Sequence, residues 1–229
     1  MSVIGCGYLG AVHAACMAKL GHDVVGIDVD EAKVASLAAG QAPFFEPGLP
    51  ELLAEVAGTG RLRFTTDIAA AQGSEAHFLC VGTPQKQGEF AADLRYVESS
   101  FEALAPYVSP GDVVIGKSTV PVGTAERLAD ALAGIEPAAT LVWNPEFLRE
   151  GFAIKDTLTP DRLVYGVPTE DHPSVELLDE IYAAAIASGT PRIVADLATA
   201  QLVKVAANSF LATKISFITP WPRRARPWR

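Results

Sequence analysis

The sequence is poor in sulfur and imidazole, with three cysteines, two methionines and four histidines in 229 residues. Cys6, Cys16 and Cys80 are odd in number, match no zinc-ligand spacing and each sit in an apolar stretch. That excludes a disulfide scaffold and predicts buried, reduced thiols. His13, His22, His77 and His172 are scattered, so no metal centre is expected. No apolar run reaches the roughly 18 residues of a membrane-spanning helix. No basic segment followed by an apolar one marks a secretory signal, and a cytoplasmic protein with no membrane partner is expected. Basic residues are also scarce. There are 18 Lys+Arg against 27 Asp+Glu, a net charge of −9, which argues against a nucleic-acid partner. Four of the arginines fall within Arg223 to Arg229, so residues 1–222 alone carry a net charge of −13.

What is present is an apolar share of 49 %, enough for a sizeable core and for one large domain, or one domain and a fragment. The start is short: Ser2-Val3-Ile4 runs directly into Gly5-Cys6-Gly7-Tyr8-Leu9-Gly10, and a helical pattern follows to Leu20, closed by Gly21. A strand, a glycine turn and a helix start make the arrangement that cradles a dinucleotide pyrophosphate. Gly5 permits the turn, Gly7 lets a phosphate approach the backbone, and Gly10 lets the helix pack close to the strand. The second strand, Asp23 to Ile27, ends in Asp28, 18 positions after Gly10. An acid there accepts hydrogen bonds from a ribose and repels a 2′-phosphate, so the expected cofactor is NAD. Lys33, one turn into the next helix, reads either as a contact to the adenosine or as an exposed helix lysine.

Strand and helix patterns then alternate. Strands are expected at 62–65, 76–81, 112–117, 140–143, 162–166 and 192–194. Helices are expected at 30–39, 50–57, 67–72, 96–107, 124–132 and 175–187, with a long one at 197–218 capped by Asp196 or Thr199. Between them Pro43 to Leu49 reads as a rigid loop. This alternation predicts an α/β fold with a doubly wound, mostly parallel sheet of the Rossmann type, followed by a long linking helix. The expected division is a cofactor domain over 1–196, the helix over 197–218 and an aberrant basic tail over 219–229.

Six stretches in order resemble the UDP-glucose/GDP-mannose dehydrogenase family. They are GCGYLG at 5–10, FFEPGL at 44–49, VGTP at 81–84, KSTVPVGT at 117–124, NPEFLREG at 144–151 with TPDRLVYG after it, and LVKVAANSFLATKISFI at 202–218. The resemblance covers residues 2–218. It implies oxidation of a sugar C6 alcohol to a carboxylate in two steps that consume two NAD. The substrate would be a nucleotide sugar, UDP-glucose first and GDP-mannose as the alternative. It places NAD contacts on Gly5, Gly7, Tyr8, Leu9, Gly10, Asp28, Lys33, Thr83, Thr119 and Glu150. It places substrate contacts on Glu146, Phe147, Leu148, Arg149, Glu150, Lys204 and Asn208.

The residue types suit that chemistry. Lys204 and Asn208 are spaced i,i+4 and share a helix face. An ammonium and an amide side by side hold a developing oxyanion, and Lys204 can also take the alcohol proton. Glu150 is the candidate base for the final hydrolysis, with Thr119 orienting the water and Glu146 meeting Lys204 and the substrate. Each also has a bland alternative: an exposed polar stripe for Lys204 and Asn208, capping or surface acids for Glu146 and Glu150, and a turn cap for Thr119.

The resemblance also implies a cysteine nucleophile in a glycine-rich Cys-x-Pro-Lys-Asp segment of a second, nucleotide-sugar domain. The sequence contains no such segment, and none of Cys6, Cys16 and Cys80 takes that role. The expectation is therefore an NAD-binding half without turnover of its own. The tail supplies a reason. In the family, KISFI continues as Asn-Ala-Met-Ala-Glu. Loss of one adenine from AAC GCC ATG GCC GAG yields Thr-Pro-Trp-Pro-Arg, which is Thr219 to Arg223 here. Residues 219–229 thus read as frameshift product. The helix before them normally bridges two domains and a homodimer. Leu202, Val203, Phe210, Leu211, Ile215, Phe217 and Ile218 are then expected to lack part of their packing. A 6-phosphogluconate-type hydroxy-acid dehydrogenase shares the glycine start and a Lys/Asn pair but not NPEFLREG.

Overall fold

The computed structural model describes residues 1–133 and 139–219. Eight strands form one sheet: β1 (Ser2–Ile4), β2 (Val24–Ile27), β3 (Leu62–Thr65), β4 (Ala76–Leu79), β5 (Val113–Gly116), β6 (Thr140–Trp143), β7 (Leu163–Gly166) and β8 (Arg192–Ala195). Their order across the sheet is β3-β2-β1-β4-β5-β6-β7-β8. Every pairing is parallel except β6 with β7, which meet antiparallel through Trp143 and Gly166. Stretches such as VVGI and VVIG are apolar without alternation because helices cover both faces of a parallel sheet.

The α-helices among the described residues are α1 (Tyr8–Lys19), α2 (Glu31–Ala38), α3 (Leu49–Ala57), α4 (Arg95–Leu104), α5 (Thr124–Leu132), α6 (Ala153–Leu158), α7 (Ser174–Ile181), α8 (Ala183–Ala187) and α9 (Leu197–Ile218), and the segments Ile68–Ala71 and Ala105–Tyr107 are 3-10 turns. One core layer joins the sheet to α1, α3 and α6–α8 through Val12, Leu53, Ala153 and Leu178. The other joins it to α4, α5 and α9 through Phe101, Leu128 and Ala200. The doubly wound α/β architecture is as the strand–helix alternation implies.

The differences are local. Helix α6, with Phe152 at its N-cap, has only six residues, too short for a periodic signal. The helix expected over 175–187 breaks at Tyr182, which leaves helical geometry (φ −101°, ψ 19°). Its hydroxyl instead donates to Asn144 Oδ1 at 2.7 Å inside the core.

Asp196 caps α9, accepting from the Thr199 N–H at 2.6 Å. The first turns of this helix pack on the domain, with Ala200, Gln201 and Lys204 buried. Gln201 Oε1 accepts from the N–H groups of Thr124 and Ala125 at 3.1 and 3.0 Å, satisfying the start of α5, whose own N-cap is a glycine. Further along, Leu202, Phe210, Leu211, Ile215, Phe217 and Ile218 are exposed as expected. Val203 keeps more of its packing and is half-buried against the core. Of the tail, Thr219 ends α9 with its N–H on Ile215 O. The frameshift reading of the rest falls on residues 220–229, outside the described ones. No described helix is long and apolar enough to cross a membrane.

Candidate functional site

At the carboxyl end of β1 the chain turns at Gly5 (φ +89°), where a Cβ would meet Val81 Cγ1 at 2.7 Å. A Cβ on Gly10 would fall on the Gly5 carbonyl oxygen, so α1 can approach the turn this closely only with glycine there. Gly7 differs: nothing lies within 4 Å of a Cβ built on it. The backbone there faces open space beside the N-terminus of α1, the place where free N–H groups and a positive dipole end receive an anion.

Asp28 ends β2 and shapes this turn. Its carboxylate is buried and accepts from Cys6 N at 2.7 Å and Asp30 N at 3.0 Å. Lys33 reaches back to it, Nζ to Oδ2 2.8 Å. Gly5, Gly7, Asp28 and Lys33 line one crevice of about 510 Å³ together with Val29, Ile68, Val81 and Tyr96. Val29 is 95 % exposed, an apolar side chain left open beside Asp28. Ser99 and Ser100 of α4 close the far side. These α4 residues escaped the sequence analysis because they carry no motif. Only their place opposite the turn shows them. A glycine turn open at Gly7, a buried acid and an apolar flank fit a dinucleotide.

The loops after β4 and β5 are stitched together. Thr83 Oγ1 donates to Thr119 O at 2.7 Å, and Ser118 Oγ donates to Val81 O at 2.6 Å. Thr83 and Thr119 are therefore neighbours at the carboxyl edge of the sheet, both half-buried.

The loop after β6 starts at Asn144 and carries the other candidates. Glu146 Oε1 pairs with Lys204 Nζ of α9 at 3.0 Å, while its Oε2 accepts from Leu148 N at 2.5 Å. Lys204 is only 6 % exposed. Two cations approach the Phe147 ring, with Arg162 Cζ 3.9 Å and Lys204 Nζ 5.3 Å from its centroid. Leu148 packs on the core and Leu9 lines a small chamber of about 50 Å³ behind Glu146. Arg149 turns away to α6, where it binds Asp156 through two nitrogens at 2.9 and 2.6 Å. That pair lowers the Asp156 pKa, the side-chain hydrogen bond being the main cause. Glu150 is exposed at the end of the loop, and Asn208 is exposed one turn beyond Lys204.

The same chamber holds a buried cation that the sequence analysis missed. Lys117 Nζ donates to Asn144 Oδ1 at 2.9 Å and to Tyr182 Oη at 3.2 Å. Burial pushes its pKa down to about 8, against the pull of Cys80 and Glu146. His13 lines it too, with a buried Nε2 that has no hydrogen-bond partner. The three cysteines are free and buried. Burial raises all three, Cys16 and Cys80 to about 12, so each is held as a thiol.

The sequence-derived residues therefore fall into two groups along one edge. Gly5, Gly7, Asp28 and Lys33 line the crevice, with Tyr8, Leu9 and Gly10 opening the adjoining helix. Glu146, Phe147 and Lys204 meet directly across 58 residues of chain. Arg149 is drawn off to α6, and Asn208 stands exposed on α9 one turn beyond Lys204. Glu46 is the main omission. It sits in the loop marked as rigid, and its buried carboxylate joins Tyr8 to the residues after Glu150.

Residues 1–186 match the family model described as the NAD binding domain of the UDP-glucose/GDP-mannose dehydrogenase family. The chain is 44 % identical over 221 residues to UDP-glucose 6-dehydrogenase of Rhizobium meliloti, covering 95 % of this chain and 51 % of that protein. It superposes on a UDP-glucose dehydrogenase from Pyrobaculum islandicum with a TM-score of 0.85 and 41 % identity, covering 94 % of this chain and 50 % of that one. A GDP-mannose dehydrogenase from Pseudomonas aeruginosa gives a TM-score of 0.86 at 34 % identity, with 95 % of this chain and 51 % of that one covered. The chain spans about half the length of these relatives. Glycine turn and parallel sheet agree with the family match, and the chain belongs to the UDP-glucose/GDP-mannose dehydrogenase family, whose NAD-binding domain it carries.

Proposed function

We propose that this chain is the NAD-binding half of a UDP-glucose 6-dehydrogenase, an enzyme that oxidises the C6 alcohol of UDP-glucose to the carboxylate. The observation that carries the reading is the Glu146–Lys204 pair, set at the same sheet edge as the glycine turn. Gly5, Gly7, Tyr8, Leu9 and Gly10 hold the pyrophosphate, Asp28 and Lys33 the adenosine ribose, and Thr83, Thr119 and Glu150 the nicotinamide side. Bound NAD supplies the hydride acceptor. Lys204, with Asn208 beside it, stabilises the oxyanion as the alcohol proton leaves. Glu146 orients Lys204, Phe147 and Leu148 border the sugar, and Glu150 and Thr119 position water for the final hydrolysis. Arg149 acts through Asp156 and the hold on α6. Residues 1–196 form the cofactor unit, and 197–218 the helix through which two copies pair in the cytoplasm.

Identity favours the UDP-sugar over GDP-mannose, at 44 and 41 % against 34 %. The second reading, an NAD binder without turnover of its own, is favoured by the three buried thiols. Calorimetry with NAD and NADP, followed by NADH absorbance with UDP-glucose and with GDP-mannose, tests both. The expected result is NAD binding at least tenfold tighter than NADP and no sustained NADH formation with either sugar. Equal affinity for the two dinucleotides would refute the role of Asp28, and steady turnover would refute the second reading.

A further inference from the structure

Glu46 lies on the loop between α2 and α3, outside both groups of site residues, and is 3 % exposed. Three donors converge on its carboxylate. The Tyr8 hydroxyl donates to Oε2. Gly151 N donates to the same oxygen at 2.9 Å, and Ala153 N donates to Oε1 at 2.8 Å. Gly151 N also lies 3.2 Å from Tyr8 Oη, so the contacts form a closed ring. Tyr8 is the first residue of α1, next to Gly7, and Gly151 directly follows Glu150. One side chain thus ties the pyrophosphate turn to the loop that bears Glu146 and Glu150, across 105 residues of chain.

We propose that Glu46 is a positioning residue that holds the 146–153 loop against the N-terminus of α1, so that NAD binding and the order of that loop depend on each other. The proposal rests on the NAD reading above. A carboxylate is the group this place requires. Both oxygens only accept, and every neighbour named donates. Glutamine would turn an N–H₂ toward either Gly151 N or Ala153 N, setting donor against donor. Tyr8 stays a donor throughout, because burial and the bond to Glu46 push its pKa up to about 12. The Phe44 ring, 5.2 Å from the Tyr8 ring, fixes the phenol from the same loop.

The test is hydrogen exchange combined with calorimetry on the whole chain and its Glu46→Gln and Tyr8→Phe variants, with NAD as the probe. In the parent chain NAD should slow amide exchange over residues 5–10 and over 146–153. In Glu46→Gln the protection over 5–10 should persist while that over 146–153 is lost, with NAD affinity reduced about tenfold, the scale of a hydrogen bond to a charged group. Tyr8→Phe removes one donor and leaves the bonds to Gly151 and Ala153. It should weaken the NAD-dependent protection of 146–153 without changing exchange at Ala153 in the free chain. A Glu46→Gln chain that melts lower yet binds NAD with parental affinity and parental loop protection would make Glu46 merely structural and overturn the proposal. If Glu46→Gln fails to fold, Tyr8→Phe decides alone, and full loop protection in it overturns the proposal. A parent chain with no NAD-dependent protection over 5–10 refutes the cofactor reading itself, a distinct result.

Discussion

His77 crosses the amino ends of the central strands. Its Nδ1 lies 2.8 Å from Ser2 Oγ and its Nε2 3.2 Å from Asp112 Oδ2. Despite that carboxylate, burial is the larger influence and lowers its pKa. His13, fully buried against Phe78, is lowered well below 6.5 for the same reason. Both rings are neutral in the fold and take up protons more readily once unfolded. Stability from these sites is therefore complete above about pH 6.5, the ordinary histidine value, and declines as pH falls below it. The slope is about 1.4 kcal/mol per pH unit for each proton taken up on unfolding. His13→Leu removes one such site together with a nitrogen that has no partner. The expected outcome is a melting temperature at pH 7 equal to or above the parent's, and a shallower decline between pH 6.5 and 4. An acid limb identical to the parent's would contradict it. None of this was legible in the sequence, where His13 and His77 are two scattered histidines. Their neutrality follows from burial between sheet and helix, which only the packing creates.

At the scale of elements, the β1–turn–α1 unit was the most legible part of the chain. Its glycines and its distance to Asp28 are local quantities, and local geometry decides them. The structure gives two of these glycines the different surroundings that their separate tasks require. Gly10 is closed in by the Gly5 carbonyl, whereas Gly7 borders open space and has φ −68°, which any residue adopts. Gly10→Ala should therefore be a folding defect, lowering stability by about 2–4 kcal/mol, the range of severe overpacking and strain. Gly7→Ala should melt within about 2 °C of the parent and still lose NAD affinity by tenfold or more, because the added methyl occupies the phosphate's approach. Thermal denaturation with NAD titration checks both, and a Gly7→Ala chain with parental affinity would contradict the cradle geometry. Less legible were the pairs made between distant elements. Glu146 with Lys204 was anticipated only through the family resemblance. Gln201 capping α5 and Glu46 binding the 146–153 loop were not anticipated at all. A side chain that satisfies another segment's backbone leaves no periodic trace.

For the molecule as a whole, the two core layers close over both faces of the sheet, yet α9 runs on beyond them. Ala200, Gln201 and Lys204 face the domain, and from Phe210 onward the apolar residues face solvent. Phe210, Leu211, Ile215, Phe217 and Ile218 spread over adjoining faces of this helix, and an apolar surface of that width needs cover. Val203 is half-buried against the core, within the turns that carry Ala200 and Lys204. Leu211 and Ile215 are 56 and 57 % exposed at i,i+4, so they form one continuous strip. Burial of such a strip against another copy removes apolar area from water at about 25 cal/mol per Å². The chain should therefore associate as its concentration rises into the micromolar range, as light scattering after size exclusion would detect. The double variant Leu211→Glu, Ile215→Glu keeps good helix formers and touches no core residue. It should shift the chain toward monomer and leave the melting temperature at low concentration within about 1 °C of the parent's, since isolated surface substitutions act weakly. If the variant associates as strongly as the parent, another surface drives assembly. If it instead melts several degrees lower at high dilution, the strip is packed within one chain, and α9 belongs to the domain along its full length.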